Sequence, residues 1–359
     1  SAKTLWVKLI QNRVETGEPY IMFKDTVQNA LPKFQKEAGL KVNHSNLCSE
    51  ITLATDDDRT AVCCLSSVNL EEYDEWKHDD NFIPDLIRML DNVISHFIDN
   101  APMHLAKAVY SASRERSLGL GAMGFHAYLQ RHNIPFESAS AKGANMKMFQ
   151  HIKWRAVNAT KQLAKERGEC PDGVGHGVRN AHLLAVAPNA SSSIICGNTS
   201  PSIEPYRANA FTQKTKSGSS LLKNEYLEHV LQELDQDTDD VWKSIITNNG
   251  SVQHLDFLDE WTKDVFKTAV EIDQKWIIDM AADRQMDICQ SQSLNIFFPA
   301  NVSKQELHAI HMMAWKRKVK TLYYLRSEAI KRAETVSDEA LRQYIFDSLD
   351  DEGCVACEG

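Results

Sequence analysis

The sequence predicts an α/β fold, because short apolar segments of strand length alternate along the chain with longer amphipathic helices. Turn-forming and polar residues bound these apolar segments, as is usual for buried strands. The segments are residues 61–65, 182–187, 294–298 and 320–325. Strands separated by helices are typically joined in parallel, so this order favours a mostly parallel sheet or barrel.

The helices are predicted from apolar side chains at i, i+3 and i+4 spacing. Residues 82–98 show this spacing, and so do residues 147–168, which end at Gly168, a residue type favoured just past a helix end. Residues 258–290 are predicted to be helical for most of their length. Residues 303–306, with the letters SKQE, form a capping box that begins another helix.

The composition excludes several classes of function. The chain has 359 residues, 43% hydrophobic and 25% charged, which is ordinary for a globular protein of about two domains or one large α/β fold. A net charge of −9 without a long Lys/Arg run argues against nucleic acid or a membrane surface as the main partner. No segment is apolar enough to span a bilayer, and the N-terminal residues do not resemble a signal peptide, so we expect a cytoplasmic protein.

A polar stretch at residues 43–51, with the letters NHSNLCSEI, places Cys48 two residues after Asn46 and two before Glu50. In a reducing compartment most of the eight cysteines are free thiols that pack as small hydrophobic groups. A thiol between an amide and a carboxylate is a poor core residue, and Glu50 is a candidate base. The stretch is either a plain turn or a loop that presents three reactive groups to one substrate.

Gly119, Gly121 and Gly124 match the dinucleotide-binding pattern G-x-G-x-x-G. That fingerprint requires a strand before the first glycine, and residues 113–117 are charged and polar instead. We therefore interpret these glycines as positions where a helix packs closely on a sheet. A nicotinamide-dependent dehydrogenase is the weaker alternative.

A second candidate loop follows the apolar run at residues 182–187. Its residues are small and polar, so their backbone N–H groups could approach an anion at the start of a helix. They are Pro188, Asn189, Ala190, Ser191 and Ser192. A Ser-rich turn with a serine as the helix N-cap explains the same letters equally well.

Two further pairs of residues carry weaker signals. Cys354 and Cys357 form a C-x-x-C near the C-terminus, which is half of a zinc site or a dithiol suited to thiol–disulfide exchange. Tyr323 and Tyr324 lie in a predicted strand, where alternation sends their side chains to opposite faces and a core role is the ordinary explanation.

Taken together, these motifs resemble one family, the catalytic large subunit of class I ribonucleotide reductases. The resemblance runs from residues 15–25 to the C-terminus, nearly the whole chain. NLCSE is similar to the finger loop of that family, VCCLSSVNL to its second active-site strand, PNASSS to its diphosphate loop, TLYY to its radical relay and CVAC to its tail. The sequence of residues 188–205 is most similar to bacteriophage-encoded members of the family.

The resemblance implies a role for each residue of the finger loop. Cys48 would become a thiyl radical that abstracts the ribose 3′ hydrogen, Glu50 would accept the 3′-hydroxyl proton, and Asn46 would orient the sugar. Cys63 would be the reducing thiol, with Cys64 as the alternative. Ala190, Ser191 and Ser192, with Pro188 and Asn189 before them, would hold the substrate diphosphate.

The resemblance also implies partners and the source of electrons. Tyr323 and Tyr324 would connect Cys48 to a separate small subunit that contains a metal and bears the radical, so no cofactor and no metal is expected on this chain. Cys354 and Cys357 would reduce the active-site disulfide again and take electrons from thioredoxin or glutaredoxin. Ribonucleoside diphosphates would be the substrates.

The sequence departs from the family in one important respect. The reducing disulfide needs a second cysteine that lies N-terminal of the finger loop in the family, and no cysteine precedes Cys48 here. The nucleotide-sensing regions of the family have no counterpart either. We therefore expect the second half of a ten-stranded α/β barrel with the central finger loop, plus a flexible C-terminal tail.

This interpretation divides the chain into residues 1–335, the half-barrel, and residues 336–359, a terminal helix and mobile redox tail. A naturally split subunit, which needs an N-terminal-half partner chain, is favoured over a cut fragment because Ser1 suits a processed N-terminus. The expected function is a component of ribonucleoside-diphosphate reductase. The alternative from another class is a non-catalytic thiol-redox or assembly module.

Overall fold

The computed structural model describes residues 1–215 and 218–327. Its helices are α1 (Ala2–Thr16), α2 (Lys24–Asn29), α3 (Lys33–Glu37), α4 (Tyr73–Trp76), α5 (Phe82–Asn100), α6 (Ala106–Glu115), α7 (Phe125–Arg131), α8 (Ala139–Arg167), α9 (Ala190–Ile195), α10 (Glu225–Glu233), α11 (Asp239–Thr247), α12 (Glu260–Val265), α13 (Gln274–Gln285) and α14 (Lys304–Lys316). Its strands are β1 (Ile21–Met22), β2 (Cys64–Asn69), β3 (Leu118–Met123), β4 (Ala210–Thr215), β5 (Gly218–Lys223), β6 (Ile296–Phe298), β7 (Thr321–Leu322) and β8 (Leu325–Ser327).

Five extended segments lie side by side in chain order and form a parallel sheet. β2 pairs in parallel with β3, and β3 is joined to the third segment by the parallel bridge between Leu120 and Leu184. The third segment is joined to the fourth by the bridge between Val186 and Gln292, and the fourth ends in β6, which pairs in parallel with β8. Helices connect the successive segments, so the α/β prediction is confirmed.

The predicted helices are confirmed with small changes of extent. Residues 82–98 lie in α5, and residues 147–168 lie in α8 and its C-terminal cap Gly168. Ser303 caps α14, since its Oγ accepts a hydrogen bond of 3.1 Å from the N–H group of Glu306. The stretch 258–290 is divided between α12 and α13, with turns on either side.

Two of the predicted strands differ from the structure. The run 61–65 becomes regular only at Cys64, where β2 begins and continues to Asn69. The run 320–325 is interrupted at Tyr323 and Tyr324, because the chain changes partners there: β7 pairs with β1 on one side and β8 with β6 on the other. The two rings therefore do not point to opposite faces; their centroids are 4.5 Å apart.

The glycine prediction is wrong about which elements approach each other. Gly119 and Gly121 lie within β3 itself and not between a helix and the sheet. A Cβ atom on Gly119 would lie 2.9 Å from the sulfur of Cys63, and one on Gly121 would lie 2.5 Å from the carbonyl oxygen of Ala185. These glycines let the neighbouring extended segments fill the interior of the half-barrel, and they follow no strand that could begin a dinucleotide site.

The C-terminal residues of the prediction lie outside the described residues. Cys354, Cys357 and the whole of residues 336–359 belong to this part, and so does the boundary at residue 335. Within the described ranges, no helix is long and apolar enough to cross a membrane, and no group of His, Cys, Asp or Glu is arranged to hold a metal ion.

A buried carboxylate on α5 ties four parts of the chain together. Asp91 has no exposed surface and accepts hydrogen bonds from Arg116 (2.9 Å), Arg167 (2.9 Å) and Asn180 (3.1 Å). Burial opposes ionisation of Asp91, but Arg116, Arg179 and Arg167 more than offset it and lower its pKa. The packing of α5 against α8 and the start of β3 and of the third segment depends on this cluster.

We predict that Asp91→Ala lowers the free energy of unfolding of the chain by about 3–5 kcal/mol, because it leaves buried arginine charges without a counter-charge. Chemical denaturation at neutral pH measures the change. Asp99→Ala, at an exposed position of the same helix, is the matched control and should have little effect. Equal losses in the two variants would contradict the role given to the cluster.

Candidate active site

The finger loop is a tight turn closed by its own asparagine. Asn46 accepts a hydrogen bond from the N–H group of Ile51 through its side chain (3.1 Å) and one from the N–H group of Ser49 through its carbonyl (3.2 Å). Ser49 adopts the left-handed conformation with φ of 69°. Residues 46–51 thus form a turn that contains Cys48, and this turn does not exclude the functional interpretation.

The fourth extended segment anchors this loop. The N–H group of Ser291 donates to the carbonyl of Glu50 (2.9 Å), and the N–H group of Thr52 donates to the side chain of Gln290 (3.2 Å). The hydroxyl of Ser293 lies 2.5 Å from the carbonyl oxygen of Cys48 and 3.0 Å from Oε2 of Glu50. Backbone and side-chain hydrogen bonds together thus hold the loop along the fourth extended segment.

The carboxyl of Glu50 is buried, with 2% of its surface exposed. Burial raises its pKa, although hydrogen bonds from Asn46 and Ser293 act in the opposite direction. Ser293 has one hydroxyl proton and two oxygen neighbours, so Oε2 of Glu50 shares this donor with the carbonyl oxygen of Cys48. The raised pKa makes the Glu50 carboxylate a stronger proton acceptor than an exposed carboxylate is.

Cys48 and Tyr323 are in direct contact. The phenol hydroxyl of Tyr323 lies 3.5 Å from the sulfur of Cys48. Burial and the hydrogen bond to Cys48 raise the pKa of Tyr323, so the phenol stays protonated. The ring of Tyr324 follows at 4.5 Å from that of Tyr323. The three side chains form a continuous path from the tip of the finger loop outward.

Sequence reasoning missed two residues that support this path. The ring of Tyr20 lies 4.6 Å from that of Tyr323 and 4.9 Å from that of Tyr324. Arg13 is fully buried and donates to the carbonyl of Tyr323 (3.0 Å) and to the carbonyl of Pro19. Burial lowers the pKa of Arg13 to about 10, and nearby Tyr20 acts against that shift. Residues 15–25 carried the family resemblance, but nothing in their spacing singled out Tyr20.

Cys63 and Cys64 face different surroundings. Cys63 packs with Ile51, Leu53 and Ala185 beside the finger loop, and Gln290 donates to its sulfur at 3.3 Å. Cys64 packs against the main core between the sheet and the helices. Burial raises the pKa of both thiols, opposed by Gln290 at Cys63 and by Arg116 at Cys64. Cys63 lies on the side of the finger loop, and this position favours Cys63 over Cys64 as the candidate for the reducing thiol.

The loop after the third segment leads into a helix whose N-cap residue is Asn189 and not the predicted serine, and the Asn189 side chain makes no cap hydrogen bond. Asn189 adopts the left-handed conformation with φ of 53° and precedes the short helix α9. Its side-chain oxygen accepts a hydrogen bond of 3.1 Å from the hydroxyl of Ser67. Ala190, Ser191 and Ser192 are exposed in the first turn, where backbone N–H groups have no partner within the helix.

The structure thus brings Asn46, Cys48, Glu50 and Tyr323 into one site, with Cys63 beside it through Gln290. Pro188 and Asn189 follow directly after the third segment of the same half-barrel. The finger loop supplies a thiol and a buried carboxyl, and the junction of β7 and β8 supplies the tyrosines that lie against the thiol.

The family follows from comparison with known proteins. The sequence profile of the ribonucleotide reductase barrel domain matches residues 1–173 and 171–325. The ribonucleoside-diphosphate reductase large subunit assigned to Frog virus 3 is 50% identical over 362 residues, which cover 100% of this chain and 63% of that protein. The chain belongs to the ribonucleotide reductase barrel-domain family.

Two further similarities agree with this conclusion. The large subunit of Invertebrate iridescent virus 3 is 46% identical over 100% of this chain and 57% of its own length. The class Id ribonucleotide reductase alpha subunit of Actinobacillus ureae has the same fold, with a TM-score of 0.86 and 41% identity over 90% of this chain and 61% of that one. The chain therefore spans less than two thirds of these relatives, and none of the three is from a bacteriophage.

We predict that Ser293→Ala raises the pKa of Glu50 further, because the hydroxyl that favours the ionised carboxylate is lost. Infrared titration of the protonated carboxyl band measures it, with Glu50→Gln to assign the band. Ser291→Ala is the matched control, since that hydroxyl contacts Thr321 at 2.6 Å. The same shift in both variants would show that the effect is not due to the Ser293 hydroxyl.

Proposed function

We propose that this chain is a component of ribonucleoside-diphosphate reductase and reduces ribonucleoside diphosphates to deoxyribonucleoside diphosphates by thiyl-radical chemistry. The observation that carries the proposal is the 3.5 Å contact between the hydroxyl of Tyr323 and the sulfur of Cys48. A phenol oxygen at this distance from a thiol is placed to take its hydrogen atom. The names of the relatives support the same activity.

Each residue of the site has a defined part in the reaction. The Cys48 thiyl takes the 3′ hydrogen of the ribose, Glu50 takes the proton of the 3′ hydroxyl, and Asn46 holds the sugar. The 2′ hydroxyl leaves as water, Cys63 and a second cysteine supply two electrons and become a disulfide, and Cys48 returns the 3′ hydrogen. The net change is one C–O bond replaced by C–H for two thiols oxidised to one disulfide.

The second cysteine and the effector sites come from the remaining part of the barrel. Cys48 is the first cysteine of this sequence, and among the described residues β2 pairs with β3 alone, which leaves it at an edge of the sheet. An uncovered parallel edge favours pairing with another strand. An N-terminal-half partner would close the barrel, cover this edge and bring the second thiol to Cys63.

The other partners follow from the two ends of the electron path. A separate small subunit, which contains a metal, would deliver the radical to Tyr324, and no cofactor would be bound by this chain. Thioredoxin or glutaredoxin would reduce Cys354 and Cys357, which then reduce the active-site disulfide. Pro188, Asn189, Ala190, Ser191 and Ser192 would hold the diphosphate, and the complex would act in the cytoplasm.

A non-catalytic thiol-redox or assembly module is not favoured by the site. Such a module needs accessible thiols, but it does not need a buried carboxyl two residues from Cys48 or a phenol against its sulfur. Conversely, radical chemistry uses each of these contacts.

We predict that Cys48→Ala and Tyr324→Phe each abolish nucleotide reduction in the assembled complex while substrate binding is retained. Alanine removes the sulfur that must carry the radical, and phenylalanine removes the hydroxyl that gives up its hydrogen. Product formation and equilibrium binding are measured side by side. Tyr110→Phe, at an exposed tyrosine, is the control and should stay active. Turnover by Cys48→Ala would refute the proposed function.

We predict that Cys63→Ser and Cys64→Ser have different effects on deoxynucleotide formation. Cys63→Ser should remove deoxynucleotide formation even in a single turnover with the prereduced complex, because the two-electron donor is lost. Cys64→Ser should keep single-turnover activity, since Cys64 packs in the core. The reverse pattern would transfer the reducing role to Cys64.

A further inference from the structure

Tyr324 has a positive charge directly over its ring. The guanidinium carbon of Arg326 lies 4.0 Å from the ring centroid, well inside the distance at which a cation and an aromatic face attract. Burial lowers the pKa of Arg326, and its Nε atom has no hydrogen-bond partner among the described residues. The cation–π contact with the ring of Tyr324 is therefore a main interaction of the Arg326 guanidinium.

A buried carboxyl interacts with the same arginine and is linked to the same tyrosine. Glu204 is 4% exposed, and its Oε1 atom accepts a hydrogen bond of 2.6 Å from the side-chain amide of Asn295. The side-chain oxygen of Asn295 in turn accepts a hydrogen bond of 3.0 Å from the N–H group of Tyr324. Asn295 thus links the carboxyl of Glu204 to the backbone of the outer tyrosine.

The charges that act on Glu204 are those of two arginines. Burial raises the pKa of Glu204 to about 7, opposed by Arg207, Arg326 and the hydrogen bond from Asn295. Within the described ranges, no ion pair within 4.0 Å involves Glu204. Arg207 is exposed and lies 5.9 Å from the ring centroid of Phe297, not over a tyrosine. Both arginines therefore lower the pKa of Glu204, but the one that lies over the ring of Tyr324 is Arg326.

A cation over an aromatic ring makes the removal of an electron from that ring more costly. The neutral ring attracts the guanidinium through its quadrupole, and this attraction is lost as the ring gives up electron density. A nearby carboxylate compensates the cation and reduces the cost. The position of Arg326 and Glu204 relative to Tyr324 thus fits a device that adjusts how easily this tyrosine is oxidised.

We propose that Arg326 is a positioning residue that raises the energy of oxidised Tyr324, with Glu204 as its counter-charge, so that the radical passes on to Tyr323 and does not stay at the outer position. This inference rests on the proposed function, because it gives Tyr324 a part in radical transfer. It gives a role to Arg326 and Glu204, which lie outside the relay pair Tyr323 and Tyr324.

The step that the cluster affects is a hydrogen-atom exchange between two phenols. The Tyr324 radical takes an electron and a proton from Tyr323, which leaves Tyr324 as a phenol and Tyr323 as the radical. Tyr323 then takes an electron and a proton from Cys48. The oxidant that first acts on Tyr324 is the radical of the small subunit under the proposed function, so electrons and protons balance.

The test uses the assembled complex with difluorotyrosine at position 324, whose radical has a spectrum distinct from that of tyrosine. Arg326→Gln should increase the radical population at position 324 by about 3- to 30-fold, the range that corresponds to a cation–π contact, and should lower kcat with KM unchanged. Arg326→Lys, which keeps the charge, should lie between this variant and the parent protein.

Arg207→Gln is the matched control, because it removes an equal charge near Glu204 without uncovering Tyr324. Equal radical populations in the Arg207→Gln and Arg326→Gln complexes would overturn the inference. So would an unchanged population in Arg326→Gln when Tyr324→Phe is inactive, and in that case the relay itself would stand. Turnover by Tyr324→Phe would instead show that the proposed relay has failed.

The dependence on pH gives a second readout. Glu204 is ionised above about pH 7 and compensates Arg326, whereas below this pH it is neutral and the cation acts alone. The radical population at position 324 should therefore fall as the pH decreases through about 7. In Glu204→Gln it should be low at every pH, and a transition retained in that variant would exclude Glu204 as the counter-charge.

Discussion

The anchoring of the finger loop to the fourth extended segment is the constraint on which the rest of the site depends. A loop inside a barrel must satisfy its backbone polar groups without water. Here the N–H group of Ser291 and the hydroxyl of Ser293 do so for the carbonyls of Glu50 and Cys48. Without these bonds, Cys48 would have no fixed distance from Tyr323, which comes from the next segment of the same sheet.

The close approach of neighbouring strands explains the glycines of β3. The finger segment and Cys63 fill the space inside the half-barrel, and the side chains that face them have to leave room. A Cβ atom on Gly119 would meet both Cys63 and Leu65, and one on Gly121 would meet the backbone at Ala185. The glycine pattern that resembles a cofactor motif is therefore a packing requirement of the extended segments on either side of β3.

Much of the fold and the centre of the site could be predicted from local sequence, but not the contacts that position them. The regular apolar spacing predicted α5 and α8, and the short motif Asn46-x-Cys48-x-Glu50 pointed to the groups that the proposed reaction uses. The break at Tyr323 could not be predicted, because it arises when the chain changes from one strand partner to another. Arg13 and Ser293 lie more than 200 residues from the groups that they hold, and no local pattern marks such pairs.

The electrostatics of the interior favour a reaction that moves hydrogen atoms and not charge. Burial raises the pKa of Glu50, Cys63 and Tyr323 alike, so the charged form of each is less favourable than it is in an exposed group. Transfer of an electron alone to or from such a site would create an unpaired charge in a poorly solvated interior. When a proton accompanies each electron, no charge remains behind. The formal charges of Glu204 and Arg326 lie instead at the outer end of the tyrosine path, where an electrostatic effect acts on Tyr324 without imposing a charge on the thiol.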